Sequence, residues 1–206
     1  MATINSAFKA MASTKNNQPP VFPESLRDTP LPDTLVTTYL QMTSSTQFRS
    51  AYLNYPNGVK VMCMETPDVA FYRFLYSTVG KPWRLRERLS YSDEQIKAIL
   101  ADPGTSIHVL YVDGAPAGYI ELVQRAEGPA GRFYSTEIVY FGLRESYLGQ
   151  GLGKHLLSHG IAYAWNKGNQ RLWLHTSNLD SPYSLDNCLE CGFKIYRIEK
   201  EPMPKW

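Results

Sequence analysis

One segment constrains the fold of this chain most, because it joins a β-strand to an amphipathic helix through a glycine-rich turn. Residues 132–143 have the β-branched and aromatic content of a strand, and they are followed by ESYLGQGLGKHLLSHGIAYAWNKG. Apolar residues recur on one side of the helix predicted over 151–167, at Leu152, Leu156, Leu157, Ile161, Ala164 and Trp165. This strand–turn–helix unit predicts a mixed α/β fold.

The start of this helix is suited to binding an anion. Glycines at positions 149, 151 and 153 allow a ligand to approach the backbone, since they carry no Cβ. The first turn of a helix also has unpaired N–H groups and a positive partial charge, which together favour a phosphate. No Asp or Glu occurs from Ser146 to Leu179, whereas that stretch contains Lys154, Lys167 and Arg171.

Two other glycine-rich phosphate motifs do not fit this segment. A Walker loop requires GxxxxGK[ST], but Gly153-Lys154 is followed by His155, and Leu148 stands where the first glycine should be. A dinucleotide-binding fingerprint requires GxGxxG near the start of a parallel sheet, whereas GQGLG here follows a predicted antiparallel meander.

The remaining elements are predicted from periodicity and turn residues. Strands are expected at 35–42, 58–65, 106–112, 115–124, 132–143, 171–176 and 193–199, and helices at 68–80, 92–100, 151–167 and 182–191. Asn57-Gly58 is a hairpin-type turn signal between the first two strands, and Asp113-Gly114 is another between the third and fourth.

These features together resemble the GNAT (GCN5-related N-acetyltransferase) superfamily over residues 34–199. ESYLGQGLGKHLL is similar to the family's acetyl-CoA motif, [RQ]xxGx[GA], and HTSNLDSP and ECGFKIYRIE are similar to its C-terminal part. The resemblance implies an α/β fold with a mixed, mostly antiparallel sheet flanked by helices. That sheet would splay between the family's fourth and fifth strands, which match 132–143 and 171–176.

The resemblance also implies a set of residues that bind acetyl-CoA. Backbone amides of the loop and first helical turn would hold the phosphates, and backbone groups of the preceding strand would contact the pantetheine arm. One departure is that Leu148 replaces the Arg or Gln that opens the family motif. The implied cofactor-binding residues are Phe141, Leu143, Leu148, Gly149, Gln150, Gly151, Leu152, Gly153, Lys154, Asn178 and Ser181.

For catalysis, the implied reaction needs a base for the amine and an acid for the departing sulfur. Glu137 is the predicted base, placed in phase with Phe141 and Leu143, with Glu121 as the second candidate; a salt-bridged strand carboxylate is the alternative for Glu137. The family's usual acid is a Tyr whose position holds Cys188 here. Either that thiol or Tyr183 could donate the proton, although a buried structural cysteine is the commoner fate.

Acceptor binding is predicted less directly. Tyr72, Trp83 and Arg84 fall in the two-helix segment that shapes the acceptor pocket in this family, although core packing is the alternative for the aromatic residues. His175 follows the predicted fifth strand of the family. No metal is expected, because the pair His155 and His159 has no third ligand in a recognised motif.

Composition sets the wider limits. With 206 residues, 43% of them hydrophobic, the chain is expected to form one domain over 34–206, preceded by a proline-rich flexible arm over 1–33. A net charge of +2 argues against nucleic acid as a partner, and no apolar run approaches the length that spans a bilayer. Three cysteines without a disulfide pattern suggest a reducing, cytoplasmic location. Exposed strand edges make a homodimer possible.

The sequence therefore predicts an acetyl-CoA-dependent N-acetyltransferase acting on a primary amine of a small molecule or peptide. Two alternatives stay open. One is a GNAT-fold protein that binds CoA as a sensor or scaffold without efficient transfer, and the other is an acyltransferase that uses a longer acyl-CoA.

Overall fold

The computed structural model describes residues 30–54 and 57–204, so the arm predicted over 1–33 lies almost wholly outside the described residues. Seven strands and four α-helices follow the predicted order. The strands are β1 (Thr34–Met42), β2 (Val59–Cys63), β3 (Thr105–Val112), β4 (Ala115–Glu127), β5 (Phe133–Leu143), β6 (Arg171–Ser177) and β7 (Lys194–Pro202). The helices are α1 (Val69–Gly80), α2 (Asp93–Ala101), α3 (Leu152–Asn166) and α4 (Ser184–Glu190).

Side-chain caps set the starts of two helices. The Asp68 carboxylate accepts a hydrogen bond from the Phe71 N–H at the start of α1. At the start of α2, Ser92 and Gln95 bond reciprocally, each side chain to the other's backbone N–H, which is the capping box that the sequence predicts. Five short 3₁₀ turns occur between these elements in the described ranges, and one of them, Glu87–Ser90, lies between α1 and α2.

The strands form one sheet in the order β2-β3-β4-β5-β6-β1-β7, and every neighbouring pair is antiparallel except β5 and β6. The parallel ladder joins only Ser135–Ile138 to Arg171–Leu174, although β5 continues to Leu143 and β6 to Ser177. Beyond Ile138 the two strands therefore separate. The predicted splay is confirmed.

The first strand occupies a place that the sequence does not predict. β1 lies between β6 and β7, at the opposite side of the sheet from β2, so the expected β1–β2 hairpin is wrong. Gly58 instead approaches the turn between β3 and β4, where its carbonyl oxygen accepts a hydrogen bond from the Asp113 N–H. A Cβ on Gly58 would lie 2.0 Å from the Asp113 Oδ1, so this glycine serves a close approach between two turns.

Apolar side chains fill both faces of the sheet. On one face α1 and α2 cover β3 and β4, with Tyr72, Leu75, Tyr76 and Ile96 fully buried. On the other face α3 packs through the side chains predicted from its periodicity, and α4 adds Cys188 and Cys191. Within the described ranges, no helix is long and apolar enough to cross a membrane.

Candidate active site

The glycine-rich turn forms a cradle of backbone N–H groups at the mouth of the splay. Gly151, the residue before α3, has φ of 75° and no side-chain cap, a conformation that glycine adopts without strain. No hydrogen bond within the described part of the chain engages the N–H groups of Leu152, Gly153 and Lys154. These donors are therefore open to an anionic ligand.

The cradle adjoins the C-terminal end of β5, which is not paired with β6. A Cβ on Gly153 would lie 3.9 Å from both Phe141 Cζ and Leu143 Cδ1, so the first turn of α3 and the last residues of β5 are neighbours. A ligand with a phosphate in the cradle can therefore extend along the unpaired edge of β5 into the splay. These residues fit CoA, which joins phosphates to an extended pantetheine arm.

The positive charge predicted around the cradle is largely compensated. Lys154 Nζ lies 2.7 Å from Glu190 Oε2 on α4, and Arg171 lies 3.9 Å from Glu127. Glu190 and Glu127 lie outside residues 146–179, the stretch without Asp or Glu. The charge of that stretch alone therefore overstates the positive charge around the cradle. The backbone amides are thus the main attraction that this site offers to phosphates.

A bulge in β5 sets which residues face which side of the splay. Tyr140 pairs with Glu121 and Ile138 with Leu122, which leaves Val139 as an extra residue. Glu137 consequently lies on the α1 and α2 face of the sheet, whereas Phe141 and Leu143 lie on the α3 face. The predicted common phase of these three residues is wrong, because the bulge shifts the alternation by one residue.

Glu137 lies at the point where β5 and β6 separate. It is half-buried, it is in register with Trp173 of β6, and its carboxylate makes no hydrogen bond among the described residues. Burial raises the pKa of the Glu137 carboxyl, while positive charges on His175, Arg125 and Arg88 act in the opposite direction. A half-buried carboxylate with a raised pKa and no bonding partner is suited to accepting a proton.

Glu121, the second candidate base, is already fully engaged. It is completely buried, and its carboxylate accepts hydrogen bonds from Tyr72 Oη at 2.6 Å and from Arg88 Nη2 at 3.0 Å. Burial raises its pKa, and these two partners lower it. Burial has the larger effect, so the pKa of Glu121 is raised overall, and with both oxygens engaged inside the core this carboxylate is poorly placed to accept a proton from a substrate.

A second carboxylate, which sequence reasoning missed, lies on the same side of the splay. Glu87 accepts hydrogen bonds from Tyr140 Oη at 2.7 Å and Tyr91 Oη at 2.9 Å. Burial opposes ionisation of Glu87, but the two phenols outweigh it, so its pKa is lowered. Glu87 lies in a 3₁₀ turn without a motif, and only the fold brings it to β5.

The two candidate acids occupy different environments. Cys188 is 3% exposed within the core beneath α4, and burial raises the pKa of its thiol to about 12. Such a thiol is a poor proton donor to a substrate, and its position supports the structural alternative. Tyr183, at the start of α4, is 47% exposed.

Three predicted cofactor residues make contacts within the protein. The Asn178 side chain bridges two segments, accepting from the Val36 N–H and donating to the Thr34 carbonyl, so it fixes β1 beside the loop after β6. Ser181 accepts from the Tyr183 N–H at 3.4 Å. Leu148 packs against the core on the α3 face.

The predicted acceptor residues are distributed unevenly. Tyr72 is fully buried against Glu121, so it cannot line a pocket in this conformation, and its predicted role gives way to core packing. Trp83 and Arg84 lie partly exposed in the segment between α1 and α2. His175 is exposed on the same face of the sheet as Glu137, two residues beyond Trp173. No cluster of three metal-binding side chains occurs among the residues that the structure describes.

The sheet is splayed, N–H groups are open at the start of α3, and the Glu137 carboxylate lies where β5 and β6 separate. This arrangement is the one expected of a transferase that binds an acyl-CoA. A family model described as acetyltransferase (GNAT) family matches residues 71–193, more than half of the chain. The chain belongs to the GNAT acetyltransferase family.

Solved structures agree with this fold. An aminoglycoside acetyltransferase from an uncultured soil metagenomic sample, in complex with sisomicin, matches with a TM-score of 0.58 and 14% identity over 67% of this chain and 90% of that chain. A GCN5-related N-acetyltransferase from Sphaerobacter thermophilus matches with a TM-score of 0.55 and 13% identity over 83% of this chain and 52% of that one. An aminoglycoside N-acetyltransferase in complex with CoA matches with a TM-score of 0.50 and 17% identity, covering 72% and 93%.

Proposed function

We propose that this protein transfers an acetyl group from acetyl-CoA to a primary amine of a small molecule or peptide. The observation that carries the proposal is the splay between β5 and β6 with two chemically different groups beside it. N–H groups at the start of α3 that make no hydrogen bond with the described residues lie next to the end of β5. The carboxylate of Glu137, also without a hydrogen bond among the described residues, lies where the two strands separate. Aminoglycoside acetyltransferases among the similar folds support an amine as the acceptor class.

In this proposal the N–H groups of residues 149–154 hold the phosphates, and the unpaired edge of β5 beyond Ile138 contacts the pantetheine arm. Acetyl-CoA supplies its acetyl group as a thioester, whose carbon the amine nitrogen attacks while the bond from that carbon to sulfur breaks. Glu137 accepts a proton from the acceptor's ammonium group. Tyr183 donates a proton to the departing sulfur, since Cys188 is buried in the core. The phenol is restored by the second proton that the nitrogen loses as the amide forms.

A second function is favoured by two observations. Leu148 supplies no polar side chain at the opening of the cradle, and the residue at the position of the family's acid is the buried Cys188. Both would suit a protein that binds CoA as a sensor without efficient transfer. A longer acyl donor is the third case, because the splay leaves the edge of β5 open beyond Ile138.

The test combines binding with transfer. Acetyl-CoA is titrated calorimetrically, and thiol release is then followed with a broad panel of amines, using wild type, Glu137→Gln and the exposed control Glu201→Gln. The proposal expects all three proteins to bind acetyl-CoA and only Glu137→Gln to lose transfer. Binding by wild type with no transfer to any amine would favour the sensor, and turnover only with longer acyl-CoAs would identify a different donor.

A further inference from the structure

We infer that the acceptor carries a carbonyl or carboxylate oxygen next to its amine, as an α-amino acid or a peptide N-terminus does, and that Arg88 binds this oxygen. The inference rests on the proposed function, because it concerns the acceptor in the same cleft. It names a substrate class that the family membership leaves open.

The guanidinium of Arg88 is held rigidly beside the acceptor end of the cleft. Its Cζ lies 5.3 Å from the ring centroid of Tyr91 and 5.3 Å from that of Tyr140. Nη2 donates to Glu121 at 3.0 Å, and the side chain is only 11% exposed. A guanidinium fixed between two rings and a buried carboxylate is preorganised, so little conformational entropy is lost when it binds a further group.

Part of this guanidinium has no partner. Nε is buried and makes no hydrogen bond. Nη1 also makes none with the described residues, and unlike Nε it is not fully buried. The two N–H groups of Nη1 are thus available to an oxygen of a ligand, in a setting where a charge-assisted hydrogen bond is stronger than in water.

Arg88 and Glu137 lie on the same face of the sheet. Tyr140, whose ring adjoins the Arg88 guanidinium, lies on the same face of β5 as Glu137, and the positive charge of Arg88 lowers the pKa of the Glu137 carboxyl against the effect of burial. An ammonium group at Glu137 and an oxygen at Arg88 would satisfy both charges. An amine carried on the carbon next to a carbonyl group provides that pair of atoms within one short fragment.

The charges on this face weigh against a polycationic acceptor. Arg125 of β4 and Arg171 of β6 are both in register with Ser135 of β5, one on each side of that strand. Both arginines therefore lie on the same face of the sheet as Arg88. The neighbouring carboxylates already have partners: Glu121 binds Arg88, Glu127 binds Ser135, and Glu87 binds two phenols. Glu137 is left to receive one ammonium group.

The experiment measures kcat/KM for glycinamide, glycine, the peptide Gly-Gly, propylamine and spermidine, in wild type, Arg88→Lys and the control Arg86→Lys. Lysine keeps a positive charge for Glu121 but lacks the second nitrogen of the fork. Arg86 is exposed on the same segment, so its conservative change is a matched control. The ratio of glycinamide to propylamine is compared between proteins, so that the different basicities of the two amines cancel.

We expect wild type to prefer glycinamide, and Arg88→Lys to lower the ratio about tenfold or more, since a hydrogen bond to a charged group is lost. Arg86→Lys should keep the wild-type ratio. A higher rate with glycine than with glycinamide would identify a free amino acid, and a higher rate with Gly-Gly would identify a peptide N-terminus.

Two results would overturn the inference while the proposed function stands. One is efficient wild-type transfer with spermidine or propylamine preferred, and the other is an unchanged ratio in a folded Arg88→Lys protein. If Arg88→Lys does not fold, as judged by its melting temperature, the wild-type preference decides alone. Transfer to none of the amines would instead overturn the proposed function and this inference with it.

Discussion

In the proposed function, the two ends of the cleft bind their ligands with different parts of the chain. The cofactor half, defined as residues 139–143 and 149–154, offers mainly backbone groups from one contiguous stretch. The acceptor half, defined as Glu87, Arg88, Glu137, Tyr140 and His175, offers side chains from a 3₁₀ turn, β5 and β6. The first half is thus determined locally, whereas the second exists only once the sheet has formed.

This difference predicts which half of the cleft tolerates substitutions of its side chains. A backbone cradle tolerates changes in side chains, which explains how Leu148 can replace a polar residue without closing the site. A side-chain cluster changes with each substitution, so acceptor specificity is carried there. Variants in the two halves should therefore affect different steps.

The largest expected effect is that of Glu137→Gln on turnover. Removing the proposed base should lower kcat by roughly 10²- to 10⁴-fold, the range typical of general base catalysis. Affinity for acetyl-CoA should not change, because Glu137 lies outside the cofactor half. Steady-state kinetics measures kcat, and calorimetry measures the affinity for acetyl-CoA. Weakened acetyl-CoA binding in Glu137→Gln would contradict the division between the two halves.

A buried histidine outside both halves should limit stability in acid. His108 is 2% exposed, its Nδ1 lies 3.1 Å from His159 Nε2, and burial lowers its pKa to about 4. Between pH 6.5 and 4 the unfolded chain binds a proton that the folded chain does not, so stability falls as the pH falls. The loss should reach roughly 3 kcal/mol at most.

Denaturant unfolding at several pH values measures this loss, with His108→Leu as the comparison. The variant should show a flatter pH dependence, because the buried titrating group is gone. An equally steep dependence in His108→Leu would assign the acid sensitivity to another group. The test also gives the pH below which a loss of activity reflects unfolding of the protein rather than a change in either half of the cleft.

Gly153→Ala should weaken the cofactor half alone. An added Cβ meets no atom closer than 3.9 Å, so the fold accepts it, and alanine favours the helix. The methyl group would stand where phosphates approach the backbone, and we expect about a tenfold rise in the Kd for acetyl-CoA. The melting temperature should stay equal or rise, and unchanged affinity would place the phosphates elsewhere.

The smallest expected effect comes from Tyr91→Phe, which changes a hydrogen-bond partner of Glu87 in the acceptor half. Loss of one phenol donor to the exposed carboxylate of Glu87 should raise KM for the amine about threefold, since a hydrogen bond near solvent contributes little. KM for acetyl-CoA should remain as in wild type. A change in the latter constant, with the amine constant unaltered, would contradict the proposed division.

The sequence predicts the elements of the cofactor half because their signals are local. The strand, the glycine-rich turn and the amphipathic helix are consecutive, and the position of α3 follows from them, whereas the splay was implied by the resemblance to the family. The number and order of elements were also predictable, since each has its own periodicity and turn residues. The partners of β1 were not, because a strand's neighbours depend on pairing across the whole sheet.

The acceptor half was predicted only in part for the same reason. Glu137 stays a predicted base chosen from its position on the strand, but the bulge at Val139 reversed its phase relative to Phe141, and no sequence rule marks a bulge there. Glu87 and Arg88 reach the cleft from a short turn without a motif. Cys188 was drawn into the prediction by alignment with a family position, whereas the burial of its thiol is a property of the packed core.

The central claim is that the start of α3 and the open edge of β5 form a site for acetyl-CoA. Calorimetric titration of the wild-type protein with acetyl-CoA tests it most directly, with Glu137→Gln titrated alongside. The account predicts saturable binding of one molecule per chain and the same Kd in both proteins. Absence of saturable binding at millimolar acetyl-CoA and at millimolar longer acyl-CoAs would contradict it.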